Sequence, residues 1–141
     1  MRRLSKKSSK LTSTVPLDSG LLLLRLGLGL PMLVHHGLPY LTHYEQEAVR
    51  FLPLFGLDAR TTLALTIVAE VGAAFLIVVG LFTRLASLVM AFTMAVAFVM
   101  VHGASFQGEQ SGELAFIYLV GASALGIMGS GRFSWDQHHS N

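Results

Sequence analysis

Several ionisable side chains lie within long apolar stretches of this 141-residue chain. A charged side chain at the centre of a membrane helix costs about 2.5–3.5 kcal/mol on insertion scales, so each one needs a partner or a function. Arginine and carboxylate can pair with each other or bind an acidic group, whereas imidazole and carboxylate can pass protons. The candidates for an intramembrane polar site are Arg25, His36, Glu70, His102 and Glu113.

Arg25 and Glu70 are the two candidates expected deepest in their helices. At about 1.5 Å per residue their axial offset is about 7 Å, which a guanidinium can bridge. One interpretation is a buried ion pair that sets the helix register. The other is a charged site for a proton, an acidic headgroup or a quinone carbonyl, and both interpretations stay open.

The remaining candidates are expected at the opposite end of the helices. His36 follows Arg25 by eleven positions, which returns it to within about 20° of the same helix face. His102 and Glu113 flank the loop before the last apolar segment, so the three side chains could share one depth. Such a cluster could hold a metal, ligate haem or pass protons to a quinol. The spacing contains no metal motif, and histidines bonded to loop carbonyls are the alternative, so no metal site is predicted.

The composition indicates that these residues belong to a membrane protein. Hydrophobic residues make up 52% of the chain and charged residues 13%, against about 25% charged in soluble domains. The absence of cysteine excludes thiol–disulfide, iron–sulfur and cysteine–zinc chemistry by this chain alone. Five of the ten Lys and Arg residues lie in MRRLSKKSSK, which indicates a membrane topology signal and a contact with lipid, not with nucleic acid.

The apolar segments predict an all-α, four-helix transmembrane bundle in a single domain. We expect an uncleaved first helix, because Arg25 interrupts the leucine run and no small-residue cleavage site follows it. An interfacial or re-entrant segment is expected over 39–58. The predicted parts are a flexible basic tail, 1–16; a membrane domain, 17–132, with spans 18–38, 61–82, 85–104 and 113–130; and a short tail, 133–141.

The distribution of basic residues predicts the orientation. The N-terminal tail, Arg84 and Arg132 fall on one side of the predicted bundle, and Arg50 and Arg60 fall on the other. Positive charge favours the cytoplasmic side, so both termini are expected to be cytoplasmic, in a multi-pass protein of a bacterial inner membrane.

These residues also form a pattern that resembles the DoxX family of small bacterial membrane proteins, over nearly everything from Leu21 to Gln137. The matching features are Arg25, His36 and Gly37 in LLLRLGLGLPMLVHHG; Glu70, Gly80 and Arg84 in AEVGAAFLIVVGLFTRLASL; His102; Glu113; and GSGRFSWD, which contains Arg132 and Asp136. The chain departs from the pattern at Leu38–Tyr40, where many relatives have a polar or basic residue, and at Ala73, where many have a second glycine.

The resemblance implies a four-helix bundle linked to quinol or sulfur oxidation, or to an oxidoreductase complex against oxidative stress. The leading hypothesis is therefore a redox-associated membrane subunit with quinone as its candidate cofactor and an oxidoreductase subunit as its partner. If the chain itself is an enzyme, quinol is the expected substrate. The alternatives are a non-catalytic scaffold for a partner oxidoreductase and, less favoured, a small-molecule transporter, which would need homo-oligomers because no internal repeat is visible.

Overall fold

The computed structural model describes residues 2–108 and 111–138, with side chains from residue 15 onward. Residues 139–141 of the predicted C-terminal tail lie outside these ranges. The described residues contain helices and loops and no strand. The α-helices are α1 (Arg2–Met32), α2 (Leu38–Thr42), α3 (Tyr44–Arg50), α4 (Ala59–Thr66), α5 (Gly72–Val79), α6 (Thr83–Val96), α7 (Glu113–Met128) and α8 (Trp135–His138).

Three π-helical segments extend or join these helices. Leu33–Gly37 connects α1 to α2, Ile67–Val71 connects α4 to α5, and Ala97–Val101 continues α6. In the first of them the Leu38 N–H bonds to the Leu33 carbonyl, five residues earlier. Each segment thus accommodates extra residues in its turn, which rotates the helix faces on either side of it.

Among the described residues, three continuous helices are long and apolar enough to cross a membrane, namely Val15–Thr42, Ala59–Val79 and Thr83–Val101. They correspond to the predicted spans 18–38, 61–82 and 85–104. Helix α7 is also apolar but has 16 residues, fewer than the roughly 20 that a perpendicular crossing requires. The chain is therefore an all-helical, multi-pass membrane protein, and a fourth crossing stays a prediction.

The beginning of the first helix was predicted wrongly. Helix α1 starts at Arg2 and runs through the segment that was expected to be a flexible tail. Residues 2–15 contain no glycine or proline to end the helix. Asp18 and Ser19, whose residue types favour helix N-caps, have other partners here, because the Ser19 hydroxyl donates to the Val15 carbonyl and Asp18 accepts from Arg132 N–H.

The segment between the first two spans is partly helical. Helix α2 is the last part of the first span, α3 follows it, and residues 51–58 then form a loop. Asp58 ends this loop as the N-cap of α4, since its carboxylate accepts the Thr61 N–H at 3.1 Å. Arg60 pairs with Glu45 at 2.6 Å, and both side chains are mostly exposed, which joins α3 to α4 on the surface.

The core lies where α6 packs against α7 and α1 packs against α5. Ala74, Ile77, Met90, Ala122 and Leu125 are fully buried there. Small residues let the helix backbones approach closely, which is how helices associate in lipid without a hydrophobic driving force. Many large apolar side chains remain exposed on the outer helix faces, as expected for surfaces that contact acyl chains.

Candidate functional site

Arg25 lies at the end of the bundle where α5 finishes and the chain emerges from α7. Its side chain is 1% exposed. Nε donates to the Ile77 carbonyl and Nη2 to the Val78 carbonyl, both at 2.8 Å. Nη1 donates to the carbonyls of Phe133 at 2.7 Å and Ser130 at 3.2 Å. One guanidinium therefore joins the end of the second span to the C-terminal segment.

Gly80 and Asp136 complete this junction. Gly80 ends α5 with a φ of 79°, and a Cβ there would collide with the Arg25 guanidinium. The Asp136 carboxylate accepts the N–H groups of Phe82 at 2.7 Å and Thr83 at 3.0 Å, so a residue distant in sequence caps α6. Gly80 and Asp136 thus act together on the loop between the second and third spans.

The pKa of Asp136 responds to opposing influences. Partial burial raises the pKa of this carboxyl, but hydrogen bonds from Thr83 and Phe82 and the nearby charge of Arg25 outweigh burial. The resulting pKa of Asp136 lies below its ordinary value. Asp136 is therefore ionised at neutral pH.

The buried ion pair between Arg25 and Glu70, one of the two interpretations of these residues, does not form, because Arg25 bonds to backbone carbonyls instead. Arg25 lies beside Ile77 and Val78, seven and eight residues beyond Glu70 along the second span. That separation corresponds to about 10 Å along a helix axis. Glu70 is 6% exposed and has no hydrogen-bond partner among the described residues.

Glu70 instead lines a large cavity at the opposite end of the bundle. The cavity has a volume of about 1030 Å³ and mostly apolar walls from all three spans, α7 and the loop 51–58. This volume is in the range of pockets that bind drug-sized or cofactor-sized molecules. Its polar lining residues are His36, Tyr40, Arg50, Thr62, Thr66, Glu70, Thr93, His102, Ser111 and Tyr118.

The three π-helical segments meet this cavity. His36 belongs to the first segment and Glu70 to the second, and Ala97 and Val101 of the third also line the cavity. Single π-helical turns within α-helices occur frequently at functional sites. Here they lie in the wall that carries the buried carboxyl, which supports the cavity as the candidate site.

Two aromatic clusters pack at this end of the bundle, and the first of them lies in the cavity wall. Tyr40 contacts His36 edge-on at a ring-centroid distance of 6.2 Å and Phe51 at 6.0 Å. Phe98, Phe106 and Phe116 form a second aromatic cluster, in which the neighbouring rings are 5.2 to 5.4 Å apart. This second cluster packs the loop after His102 against the start of α7.

The structure thus brings together part of the predicted polar site. His36, Glu70 and His102 line one cavity, whereas Arg25 belongs to the junction at the other end. Glu113 is exposed on the first turn of α7 and does not line the cavity. Within residues 2–108 and 111–138, no group of three His, Asp or Glu side chains could hold a metal ion.

Sequence reasoning missed seven polar residues of the cavity, namely Tyr40, Arg50, Thr62, Thr66, Thr93, Ser111 and Tyr118. Thr66 precedes Glu70 by four positions on the same helix, so its place on the same face could have been inferred. Tyr118 is one helical turn beyond Leu114 on α7, and its apolar neighbours in the sequence gave no indication that it lines a cavity. Tyr40 and Arg50 reach the cavity through the short helices α2 and α3, which no pattern predicted.

The long apolar helices, their outward apolar faces and the cavity between them define a multi-pass membrane protein with a large internal cavity. The DoxX family model matches residues 20–103, a range that includes most of the first span, all of the second and third spans, and Arg25, His36, Glu70 and His102. The chain belongs to the DoxX family, as the sequence pattern predicted. No curated protein and no solved structure matches it.

Proposed function

We propose that this DoxX protein is a redox-associated membrane subunit that binds a quinone, or a similar flat ring with an apolar tail, in the large cavity. The observation that carries the proposal is a buried carboxyl, Glu70, in the wall of a mostly apolar cavity of about 1030 Å³, with no hydrogen-bond partner among the described residues. A buried polar group without a partner destabilises the fold by about 1–3 kcal/mol. Its retention in the core is explained if a ligand supplies the missing hydrogen bond.

The lining chemistry supports a quinone over a fully apolar ligand. Quinone carbonyls accept hydrogen bonds, and Tyr40, Tyr118, His36 and His102 can donate them. A quinol hydroxyl donates a hydrogen bond, which the Glu70 carboxylate can accept. The apolar remainder of the wall suits an isoprenoid tail, and imidazole and carboxyl groups are suited to exchange protons with the ring.

The scaffold alternative is supported by the Arg25 junction. The four hydrogen bonds that Arg25 donates all go to backbone carbonyls, so its role is to hold helices together rather than to bind a ligand. A chain that only positions a partner oxidoreductase would need that junction and would not need the cavity. Tests on cavity residues therefore separate the two functions.

The experiment measures quinone binding by the full chain purified in a mild detergent. Binding of a short-chain benzoquinone would be titrated calorimetrically, and co-purifying native quinones would be identified by mass spectrometry. We expect Glu70→Gln and His36→Gln to weaken binding about ten-fold, the loss of one hydrogen bond to a polar ring. Glu113→Gln makes the same change outside the cavity and should bind like the wild type.

The thermal unfolding midpoint of each variant would show that it is folded. Equal binding by the Glu70, His36 and Glu113 variants would contradict the proposal. A wild-type chain that binds no quinone but retains a partner protein in fixed stoichiometry would favour the scaffold instead.

A further inference from the structure

A second cavity, of about 570 Å³, lies at the end of the bundle that contains the Arg25 junction. The start of the first span, the first turn of α6 and the chain after α7 form its walls. It shares no lining residue with the large cavity. Its charged lining residues are Asp18, Arg84, Arg132 and Asp136.

The two arginines supply positive charge without a carboxylate partner. Neither Arg84 nor Arg132 forms an ion pair within the described ranges, and both side chains are exposed. The Arg84 side chain extends over Gly129, where a Cβ would lie 3.2 Å from Nε. Two unpaired arginines beside one cavity are suited to a phosphate group, which they can bind through several parallel hydrogen bonds.

Asp18 adds a negative group to the same cavity. It is 7% exposed, and its Oδ1 accepts the Arg132 N–H at 3.0 Å. Its Oδ2 accepts no hydrogen bond in the part of the chain that the structure describes. A buried carboxylate oxygen without a donor destabilises the fold, and a cation that donates a hydrogen bond would satisfy this oxygen.

The rim of the cavity is apolar. Leu17, Phe82, Leu85 and Met128 line it and have exposed fractions of 46% to 65%. All four lie at or directly beside the ends of apolar helices, where acyl chains meet the headgroup layer of a membrane. A ligand at this place can therefore be an amphiphile, with a charged head in the cavity and chains along the helices.

We propose that this cavity binds the headgroup of a phosphoethanolamine lipid. The phosphate lies between Arg84 and Arg132, the ammonium donates to Asp18, and the acyl chains cover Leu17 and Leu85. A phosphatidylglycerol headgroup has no ammonium and would leave Asp18 without a donor. A phosphatidylcholine headgroup has a quaternary ammonium that cannot donate a hydrogen bond. The site therefore selects an amine-bearing headgroup, independently of any quinone in the large cavity.

The test measures lipid binding by the full chain after delipidation in a mild detergent. Native mass spectrometry would count bound lipids during titration with phosphatidylethanolamine, phosphatidylcholine or phosphatidylglycerol of identical acyl chains. We expect phosphatidylethanolamine to bind about ten-fold more tightly than the other two, because only its ammonium can donate a charge-assisted hydrogen bond to Asp18. Equal binding of the three lipids would overturn the proposal.

Two variants separate the contributions of phosphate and ammonium recognition. Arg84→Gln combined with Arg132→Gln should weaken binding of phosphatidylethanolamine about ten-fold or more. Asp18→Asn should instead abolish the preference over phosphatidylcholine, a ratio that a general loss of stability would not change. Arg60→Gln, at the other end of the bundle, is the matched control and should bind as the wild type does. An unchanged ratio in Asp18→Asn would overturn the assignment of the ammonium.

Soluble glycerophosphoethanolamine has the same headgroup as the lipid but no acyl chains. Its competition with the lipid therefore shows whether the natural ligand is a membrane lipid or a soluble compound. If the lipid is the ligand, the soluble compound should compete only at far higher concentration, because it lacks contacts with the apolar rim. Competition at the concentration of the lipid would overturn the membrane lipid as the source and assign the cavity to a soluble phosphoethanolamine compound.

Discussion

At the scale of single residues, Arg25 shows how a charge is kept inside this bundle without a buried carboxylate partner. Its hydrogen bonds go to four carbonyls, two of which belong to the last turn of α5. The carboxyl end of a helix carries partial negative charge and carbonyls without intrahelical partners. The guanidinium satisfies these groups, and the Asp136 carboxylate supplies a nearby opposite charge.

Replacing Arg25 with lysine should destabilise the protein strongly. Lysine keeps the charge but cannot reach four carbonyls with the planar donor geometry of arginine. Leaving buried groups without partners should lower the free energy of unfolding by about 3–5 kcal/mol. The measurement is thermal or denaturant unfolding in detergent. Arg60→Lys, at an exposed ion pair, should change the same quantity by less than about 1 kcal/mol. Similar effects of the two substitutions would contradict the role of Arg25.

The lowered pKa of Asp136 predicts a pH dependence of stability. Its pKa in the folded protein lies below the ordinary value near 3.8 that it has when unfolded. The stabilisation by the ionised carboxylate is therefore fully present above about pH 5 and is lost as the pH falls through the folded pKa. The unfolding midpoint of the wild type should exceed that of Asp136→Asn by a constant amount from pH 5 to 8. The difference should shrink below about pH 4, and a difference that grows on acidification would contradict the capping role.

At the scale of helices, close packing between the first and second spans positions both ends of the bundle. Gly29 faces the second span, where a Cβ would lie 2.9 Å from the Ala74 carbonyl oxygen. Gly37, in the first π-helical segment, would similarly place a Cβ 3.2 Å from Val71. The two helices therefore approach each other closely at two points along their length.

Gly29→Ala should separate these helices and destabilise the bundle. The added methyl group meets the backbone of the second span, which cannot move aside as a flexible side chain can. We expect the free energy of unfolding to fall by about 1–3 kcal/mol, the usual effect of overpacking. Gly72→Ala is the matched control, because nothing lies within 4 Å of its Cβ position. It should leave stability unchanged or increase it, and a loss equal to that of Gly29→Ala would contradict the packing argument.

At the scale of the whole molecule, the two ends of the bundle have different chemistry. One end carries the Arg25 junction, the lipid-headgroup cavity and the segments adjoining both termini. The other end carries the large cavity with His36, Glu70 and His102. Arg84 and Arg132 lie at the first end, which predicts that this end faces the cytoplasm.

The orientation can be tested with single cysteines, because the natural chain contains none. Gln137 and Gln107 are exposed at opposite ends of the bundle. A membrane-impermeant maleimide should label Gln107→Cys in intact spheroplasts and Gln137→Cys only after permeabilisation. The reverse pattern would show that both termini face away from the cytoplasm.

Much of the architecture followed from local patterns in the sequence. The apolar runs predicted membrane helices, because only a continuous helix satisfies the backbone in lipid. The residues around Arg25, His36 and Glu70 predicted the DoxX family, which the family comparison confirmed. His36 was expected to face the interior from its helical spacing, and the structure places it in the wall of the large cavity.

The relative depth of residues on different helices required the tertiary structure. Whether Arg25 meets Glu70 depends on the lengths of loops and on π-helical turns, and neither follows from residue spacing within one helix. In the folded chain Arg25 is level with the end of α5, whereas Glu70 is level with the cavity. Local physics determined which segments cross the lipid and which faces are apolar. Which side chains share a site was decided only by the packing of the helices, because it depends on the register of one helix against another.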